Sequence, residues 1–582
     1  MGKLNLTNKY ITMKVKITTI IFLSISLFAC NNEKRISVED AEFDKYFFNI
    51  ENIPVVEGKV LNLTPDEVKD IKISYAIVTP FEPRLSQIQK NGSLNSDGTF
   101  ELEIDYAFPY QQIWLTIGDL FYAGIYANSD LFIELNADSL RKQRAYMNGP
   151  GVSYSGSDGE LNTIMNNKVL YKPEVWRKIN REIGDLMRNS NVKYDEFKIQ
   201  YDSLYDILYK IDNEYIQENP SEYAWLLEND RLSGYYSQLC QRHWMLRLEM
   251  HETLLEEIKN HKAYLVSNNG SEFYNNLFYY LDMQSRKLNR VEYKDLKDYS
   301  KLSKDERESL NEYLCINEQR KAKLPYDTTK LKELKRRVFP SIQDTIITAL
   351  TSRTNSFIDS VFSASKADFL KIKFSSKDPI EQKLMNEAVL ASVHTKWCTN
   401  IIQERYDKNL QKIASIEKTL NDSKPIISDI KIGKPIAETP FGAKLYKVDT
   451  MDYKALLANL KYASKDKAIV IDFWATWCGP CLREMPHSKK LHSEAKELPV
   501  EFIYLCTSSG SDMEKWKTKI AEYELGGTHI FVEQKIENEL MNLFSASGFP
   551  SYVFIDKNGE YRPGAISRMS QLDINKLTEL IN

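Results

Sequence analysis

The chain has no surplus of positive charge: 77 Lys and Arg meet 81 Asp and Glu, for a formal net charge of −4 at pH 7. That removes the electrostatic footprint by which a protein holds nucleic acid, so no nucleic-acid partner is expected. Cysteine and histidine are scarce, at seven each in 582 residues. A structural zinc site takes about four Cys or His ligands, and no second C-x-x-C or paired-His motif accompanies the single C-x-x-C here. His394 with Cys398, and Cys240 with His243, offer two ligands per pair and read as ordinary packed or surface side chains. No metal site and no cofactor is expected. There is no fixed-period repeat, so a solenoid is excluded. The apolar run Ile17 to Phe28 is too short for a membrane-spanning helix.

What that run does fit is the core of a signal peptide. Lys14 and Lys16 supply a short positive region before it. Leu27-Phe28-Ala29-Cys30 then resembles a bacterial lipobox, whose cysteine is lipidated and becomes the new N-terminus. On this reading residues 1–30 are a lipoprotein signal peptide, Cys30 is the lipidation site and 31–48 form a polar tether. The mature chain is exported, anchored to a membrane by lipid, and faces the periplasm. An ordinary cleaved signal, with Cys30 incidental, would export it equally.

The length suggests about three or four domains. Residues 49–150 read as β. Ile71, Ile73, Tyr75 and Ile77 alternate with other residues, as do Phe100, Leu102, Ile104 and Tyr106 after the turn signal Ser96-Asp97-Gly98. Leu131, Ile133 and Leu135 make another strand, and short alternating strands of this kind suggest a small sandwich. Over 158–425 the period changes. Phe197, Tyr201, Leu204, Leu208, Ile211 and Tyr215 recur every three or four residues, one face of an amphipathic helix. Asp378-Pro379 with Glu381 opens a helix predicted to run to about Asn421. Pro425 to Pro440 reads as a linker, and the last domain spans 430–582. The fold class is multidomain: an N-terminal all-β sandwich-like domain, a central mostly α region and a C-terminal α/β domain. Cys240, Cys315 and Cys398 fall in helical patterns without framework spacing. Cys506 falls in a core strand as a buried, inert thiol.

The chemistry is concentrated in Trp477-Cys478-Gly479-Pro480-Cys481. Ala468 to Trp474 before it is apolar and β-prone with one acid inside, a buried strand of a parallel sheet. Leu482, Met485, Leu491 and Ala495 after it have helical spacing. The motif therefore lies at a strand-to-helix turn, where α/β sheets place their sites. Cysteines at i and i+3 share a helix face and can reach each other as a disulfide. Pro480 suits the first helical turn. A thiolate at Cys478 meets the positive end of the helix dipole, so its pKa should fall from about 8.5 toward the range of about 3.5–7.5. Cys478 is expected to be exposed and to react first; Cys481, one turn in, is shielded and resolves the mixed disulfide. A lone carboxylate in an apolar strand is costly unless used or paired, which marks Asp472 as a candidate base. Glu484, three residues after Cys481, is the second candidate, with a surface ion pair as its ordinary fate. Pro486 is expected to kink the helix, and His487 and His492 to lie at the surface.

Val470 through Pro486 resembles the active-site segment of the TlpA/ResA-like thiol–disulfide oxidoreductases, membrane-tethered proteins of the thioredoxin-like superfamily. Gly548-Phe549-Pro550-Ser551-Tyr552-Val553-Phe554-Ile555-Asp556 resembles the second signature of that family, a cis-proline leading into a strand. Asn558-Gly559 then reads as a hairpin turn. The resemblance implies a thioredoxin-like fold for 430–582 and a cis Pro550 beside the cysteines. It implies a buried acid assisting Cys481, for which Asp472 matches thioredoxins and Glu484 matches the ResA-like group. It also implies a Phe549 backbone free to align an extended client segment, with Trp477 framing the site. Residues 49–150 resemble the β-rich domain that precedes such domains in exported lipoproteins of Bacteroidetes-type bacteria. The partners implied are protein thiol and disulfide clients and a membrane or extracytoplasmic electron donor. Reduction of client disulfides is the expected direction, since Gly479-Pro480 matches reducing thioredoxins. Oxidase or isomerase action, or a scaffold lipoprotein with a secondary redox domain, stays open at this point.

Overall fold

A computed structural model describes residues 53–582 apart from 80, 82–86, 105–107, 109, 143–144, 147–148, 264–265, 289–301 and 428–430. The expected signal peptide, Cys30 and the tether lie outside the described residues. The chain packs as two units. One runs to Ser375 and takes in Leu384–Ile402; the other takes in Ser376–Lys383 and Gln403–Asn582.

The first unit begins with a four-stranded and a five-stranded sheet. Their inward side chains, Val56, Leu131 and Ile133 from one and Ile73, Ile113 and Leu115 from the other, form one apolar cluster. That is the sandwich the alternating pattern predicts, because alternate residues of a strand share a face. Helices follow from Gly159 onward. The helix Tyr194–Glu218 buries Phe197, Tyr201, Leu208, Ile211 and Tyr215, the stripe set by its periodicity.

The helix predicted from Pro379 to about Asn421 is instead two, Pro379–Leu390 and Lys396–Asn421. The break has a local cause. Asp368 accepts the N–H groups of His394 and Thr395, both at 2.7 Å, capping the second helix from outside. Lys371 Nζ donates to the Ser392 carbonyl at 2.7 Å. Among the described residues, no helix is long and apolar enough to cross a membrane.

In the second unit the strands are β1 (Lys434–Glu438), β2 (Ala443–Val448), β3 (Ala468–Trp474), β4 (Val500–Thr507), β5 (Gly527–Val532), β6 (Ser551–Ile555) and β7 (Tyr561–Arg562). The helices used below are α1 (Tyr453–Ala463), α2 (Gly479–Glu494), α3 (Met513–Tyr523), α4 (Gln534–Leu543) and α5 (Ile574–Ile581). The sheet order is β1-β2-β5-β4-β3-β6-β7. Strands β2, β5, β4 and β3 are parallel, while β1 on one side and β6 and β7 on the other are antiparallel. Helices α2, α3 and α5 cover one face through Met485, Trp516 and Leu577. Helices α1 and α4 cover the other through Leu456 and Leu540. Every residue of β3 is therefore buried, which is why its sequence is apolar throughout except at Asp472. Each large apolar side chain so buried contributes roughly 1.5–3 kcal/mol.

Helix α2 runs without interruption through Pro486. His492, expected at the surface, is half-buried, because its ring packs edge-on against Phe502 at 5.1 Å. Asn558-Gly559 forms the predicted hairpin, with Gly559 at φ 83° and its N–H on the Asp556 carbonyl.

Candidate active site

Strand β3 ends at Trp474, and four residues later Cys478 caps α2. The Cys478 sulfur accepts the N–H of Cys481 at 3.1 Å, so it lies where the unpaired N–H groups of the helix start converge. Pro480 occupies the first turn, where a missing N–H leaves no bond broken. Cys478 and Cys481 are joined as a disulfide.

Cys478 is not exposed as expected. In the disulfide it and Cys481 are equally buried, at 3 %. The bonded sulfur turns inward over the helix start, and Trp477 takes the outward position, 58 % exposed. Trp477 is fixed by its indole N–H, which donates to the Ser509 carbonyl at 2.8 Å. Its ring meets Phe549 edge-on at 5.8 Å. Phe549–Pro550 is a cis peptide, and β6 begins immediately after it at Ser551. Trp477, Phe549 and Pro550 thus gather beside the disulfide. An open groove of about 560 Å³ runs along Trp477 and Phe549, walled by Asn538, Met541 and Ser547. Trp474 is 0 % exposed and belongs to the core.

Asp472 lies midway along β3 between Val470 and Trp474, which pack in the same cluster as α2. Alternation therefore turns its carboxyl toward the face that carries the cysteines. It is 3 % exposed, and one oxygen, Oδ1, has no hydrogen-bond partner among the described protein atoms. Burial pushes the carboxyl up to about 8, and the Glu484 charge adds to the push. Glu484 itself is half-buried, and its carboxylate accepts the Ser570 N–H at 2.8 Å and the Ser570 hydroxyl at 3.2 Å. Cys506 on β4 is fully buried, and burial pushes its thiol up to about 12, away from reactivity.

Three features were not singled out from the sequence. Tyr504 and Tyr552 flank Asp472 across β4 and β6. Gly510 backs the Trp477 indole. The tyrosines lie in segments whose strand character is legible, but the register that brings them to Asp472 is a tertiary property. Among the described residues no three His, Cys, Asp or Glu gather as metal ligands. His243 Nδ1 instead bonds the Leu239 carbonyl at 2.7 Å.

A parallel-centred sheet between two helical layers, a C-x-x-C disulfide at a helix start and an adjacent cis-proline define a thioredoxin-like domain. Within it, residues 451–566 match the Redoxin family model. Thiol-disulfide oxidoreductase ResA of Geobacillus kaustophilus is 29% identical over 118 residues, covering 20% of this chain and 64% of that protein. Thioredoxin-like protein YneN of Bacillus subtilis is 29% identical over 119 residues, covering 20% and 66%. A solution structure of a putative thiol-disulfide oxidoreductase from Bacteroides vulgatus is 27% identical, covering 21% of this chain and 76% of that one, with a TM-score of 0.18. The chain spans less than two thirds of the length of either curated relative.

Proposed function

We propose that the protein is a thiol–disulfide oxidoreductase of the cell envelope that reduces disulfides in protein clients. The observation that carries this reading is the Cys478–Cys481 disulfide at the start of α2, on the sheet face that holds Asp472. The Cys478 thiolate attacks a client disulfide; one client sulfur leaves as thiolate and a mixed disulfide forms. Asp472 takes the proton of Cys481. The Cys481 thiolate then attacks the Cys478 sulfur, and the second client sulfur leaves and takes a proton from solvent. Two electrons have passed to the client, and the protein holds its own disulfide. A carboxyl at about 8 suits the step, because an ordinary thiol lies near 8.5 and the proton moves at little cost. Glu484 suits it less, since Ser570 already engages both its oxygens. Trp477, Phe549 and Pro550 hold an extended client segment along the adjoining groove.

Turnover requires an electron donor that reduces the disulfide again, on a membrane or elsewhere outside the cytoplasm. In this reading Cys30 carries the lipid anchor, 31–48 is the tether, and the 49–150 and 158–425 regions stand between it and the redox domain at 430–582. Two measurements test the proposal. Cys481→Ser should trap mixed disulfides with clients on a non-reducing gel, and Cys478→Ser should trap none; a clean gel for both overturns the two-cysteine mechanism. Equilibration with glutathione gives the direction. Within the span of roughly −270 to −120 mV, a value near the low end supports reduction, and one near the high end makes the protein an oxidase or isomerase.

A further inference from the structure

Asp472 on β3, Tyr504 on β4 and His529 on β5 are consecutive neighbours across the sheet, and Tyr552 on β6 flanks Asp472 from the other side. Neighbours in register share a face, so all four side chains lie between the sheet and the cysteine-bearing helix layer. Such a polar row is unexpected in a core otherwise built from Val470, Trp474, Phe502 and Phe554. The Tyr504 hydroxyl, the Tyr552 hydroxyl, Asp472 Oδ1 and His529 Nδ1 are all buried and find no hydrogen-bond partner within the described protein. On the sheet-facing side of α2 the Ser488 hydroxyl is in the same state. Buried polar groups that the protein leaves unpaired are regularly satisfied by internal water, which needs two to four such partners.

The dimensions favour an indirect contact. A tyrosine is longer than an aspartate, so hydroxyls from neighbouring strands end beyond the carboxyl, nearer to the helix. A water placed between them would meet three polar groups at once. His529 closes the row on one side. Its Nε2 donates to the Leu525 carbonyl at 2.7 Å, its ring stacks on Tyr504 at 4.6 Å, and burial pushes its pKa down to about 4, so it stays neutral. Of the other groups packed here, Glu484 on α2 acts on Asp472, Asp472 acts on Cys506 of β4, and Arg568 acts on Tyr552; Cys478, which caps α2, and Cys481 within it are joined as the disulfide and titrate only once it is reduced.

We propose that Tyr504 and Tyr552 are positioning residues for Asp472: through internal water they donate to its carboxylate, and so set the pH at which it takes the proton of Cys481. The inference rests on the proton role proposed for Asp472. A hydroxyl that donates to the ionised form favours it, so removing one disfavours the carboxylate and moves its titration upward.

The test uses the full chain, reduced, and a chromogenic aromatic disulfide. Attack by Cys478 releases one coloured thiolate, and resolution by Cys481 releases the second. Tyr504→Phe and Tyr552→Phe should each leave the first release unchanged within about twofold. Each should move the pH midpoint of the second upward by roughly 0.5 to 1 unit, the size of one hydrogen bond. Tyr446→Phe, on the opposite sheet face, should move neither. Should Tyr504→Phe fail to fold, Tyr552→Phe carries the test, since that residue is only half-buried. Midpoints that stay at the wild-type value, with Asp472→Asn still slowing the second release, overturn the tyrosine role and leave the proposed activity standing. An Asp472→Asn variant with wild-type resolution removes the proton role and this inference together. Loss of both releases only in Cys478→Ser keeps the two-cysteine chemistry separate from either result.

Discussion

Glu484 raises the carboxyl of Asp472 across the gap between α2 and β3, while its own two oxygens are held by Ser570. The two acids therefore differ in kind. One is a buried group with an unengaged oxygen; the other is a half-buried group whose two hydrogen bonds tie the Met569–Gln571 turn to the helix that carries the cysteines. Asp472→Asn should slow resolution by on the order of 10²-fold, as loss of a general base does, and leave the first attack near wild type. Glu484→Gln should keep resolution and move its pH midpoint down, because a negative neighbour that held the proton on Asp472 is gone. Rapid-mixing kinetics of the two thiolate releases decide it. Equal slowing of both steps by Asp472→Asn would sink the assignment.

The same carboxyl makes stability depend on pH. Its folded value, about 8, lies above the unfolded value of about 3.9, so the folded state holds a proton that the unfolded state has lost. Its contribution is fully present below pH 4 and is lost as pH rises through 8. Asp472→Asn should accordingly stabilise the oxidised protein by on the order of 2–5 kcal/mol at pH 8, with the gain vanishing near pH 4. Urea unfolding across pH 4–9 measures this. A gain that is the same at every pH would show that the carboxyl is not the group responsible.

How much of this is legible in the sequence depends on the range of the cause. Cys478, Cys481 and Asp472 stand out locally, as a spaced pair at a helix start and a lone acid in an apolar strand. The helices and the sandwich strands are legible as periods. The break between Leu390 and Lys396 is not, because Asp368 and Lys371, more than twenty residues upstream, impose it. The burial of Cys478 is not legible either, since it follows from the disulfide and from Trp477 taking the outward side. Tyr504 and Tyr552 read as ordinary strand aromatics until register places them beside Asp472.

Anchoring is open to a direct test. If Cys30 carries lipid, Cys30→Ser should move the protein from the membrane fraction to the soluble one while the purified protein keeps full disulfide exchange. Detergent fractionation with a reductase assay on each fraction checks both halves. Unchanged partition would remove the anchor from the proposal and leave the redox site untouched.

Gly510 gives a test of client binding that spares the cysteines. It sits at φ +71°, a backbone region that costs other residues about 1–2 kcal/mol. A Cβ there would lie 3.0 Å from the Trp477 indole nitrogen. Gly510→Ala must therefore push the indole away and weaken its 2.8 Å bond to the Ser509 carbonyl. Trp477 walls the groove, so protein clients should react several-fold more slowly, whereas a small aromatic disulfide, which needs only the sulfur, should react at the wild-type rate. Trp477→Phe keeps a ring but loses the N–H and should fall between the two. Parallel rate measurements with a disulfide-bonded protein and the small disulfide make the comparison. If both substrates slow together, the substitution has disturbed the helix start, and the groove beside Trp477 and Phe549 is not where clients are held.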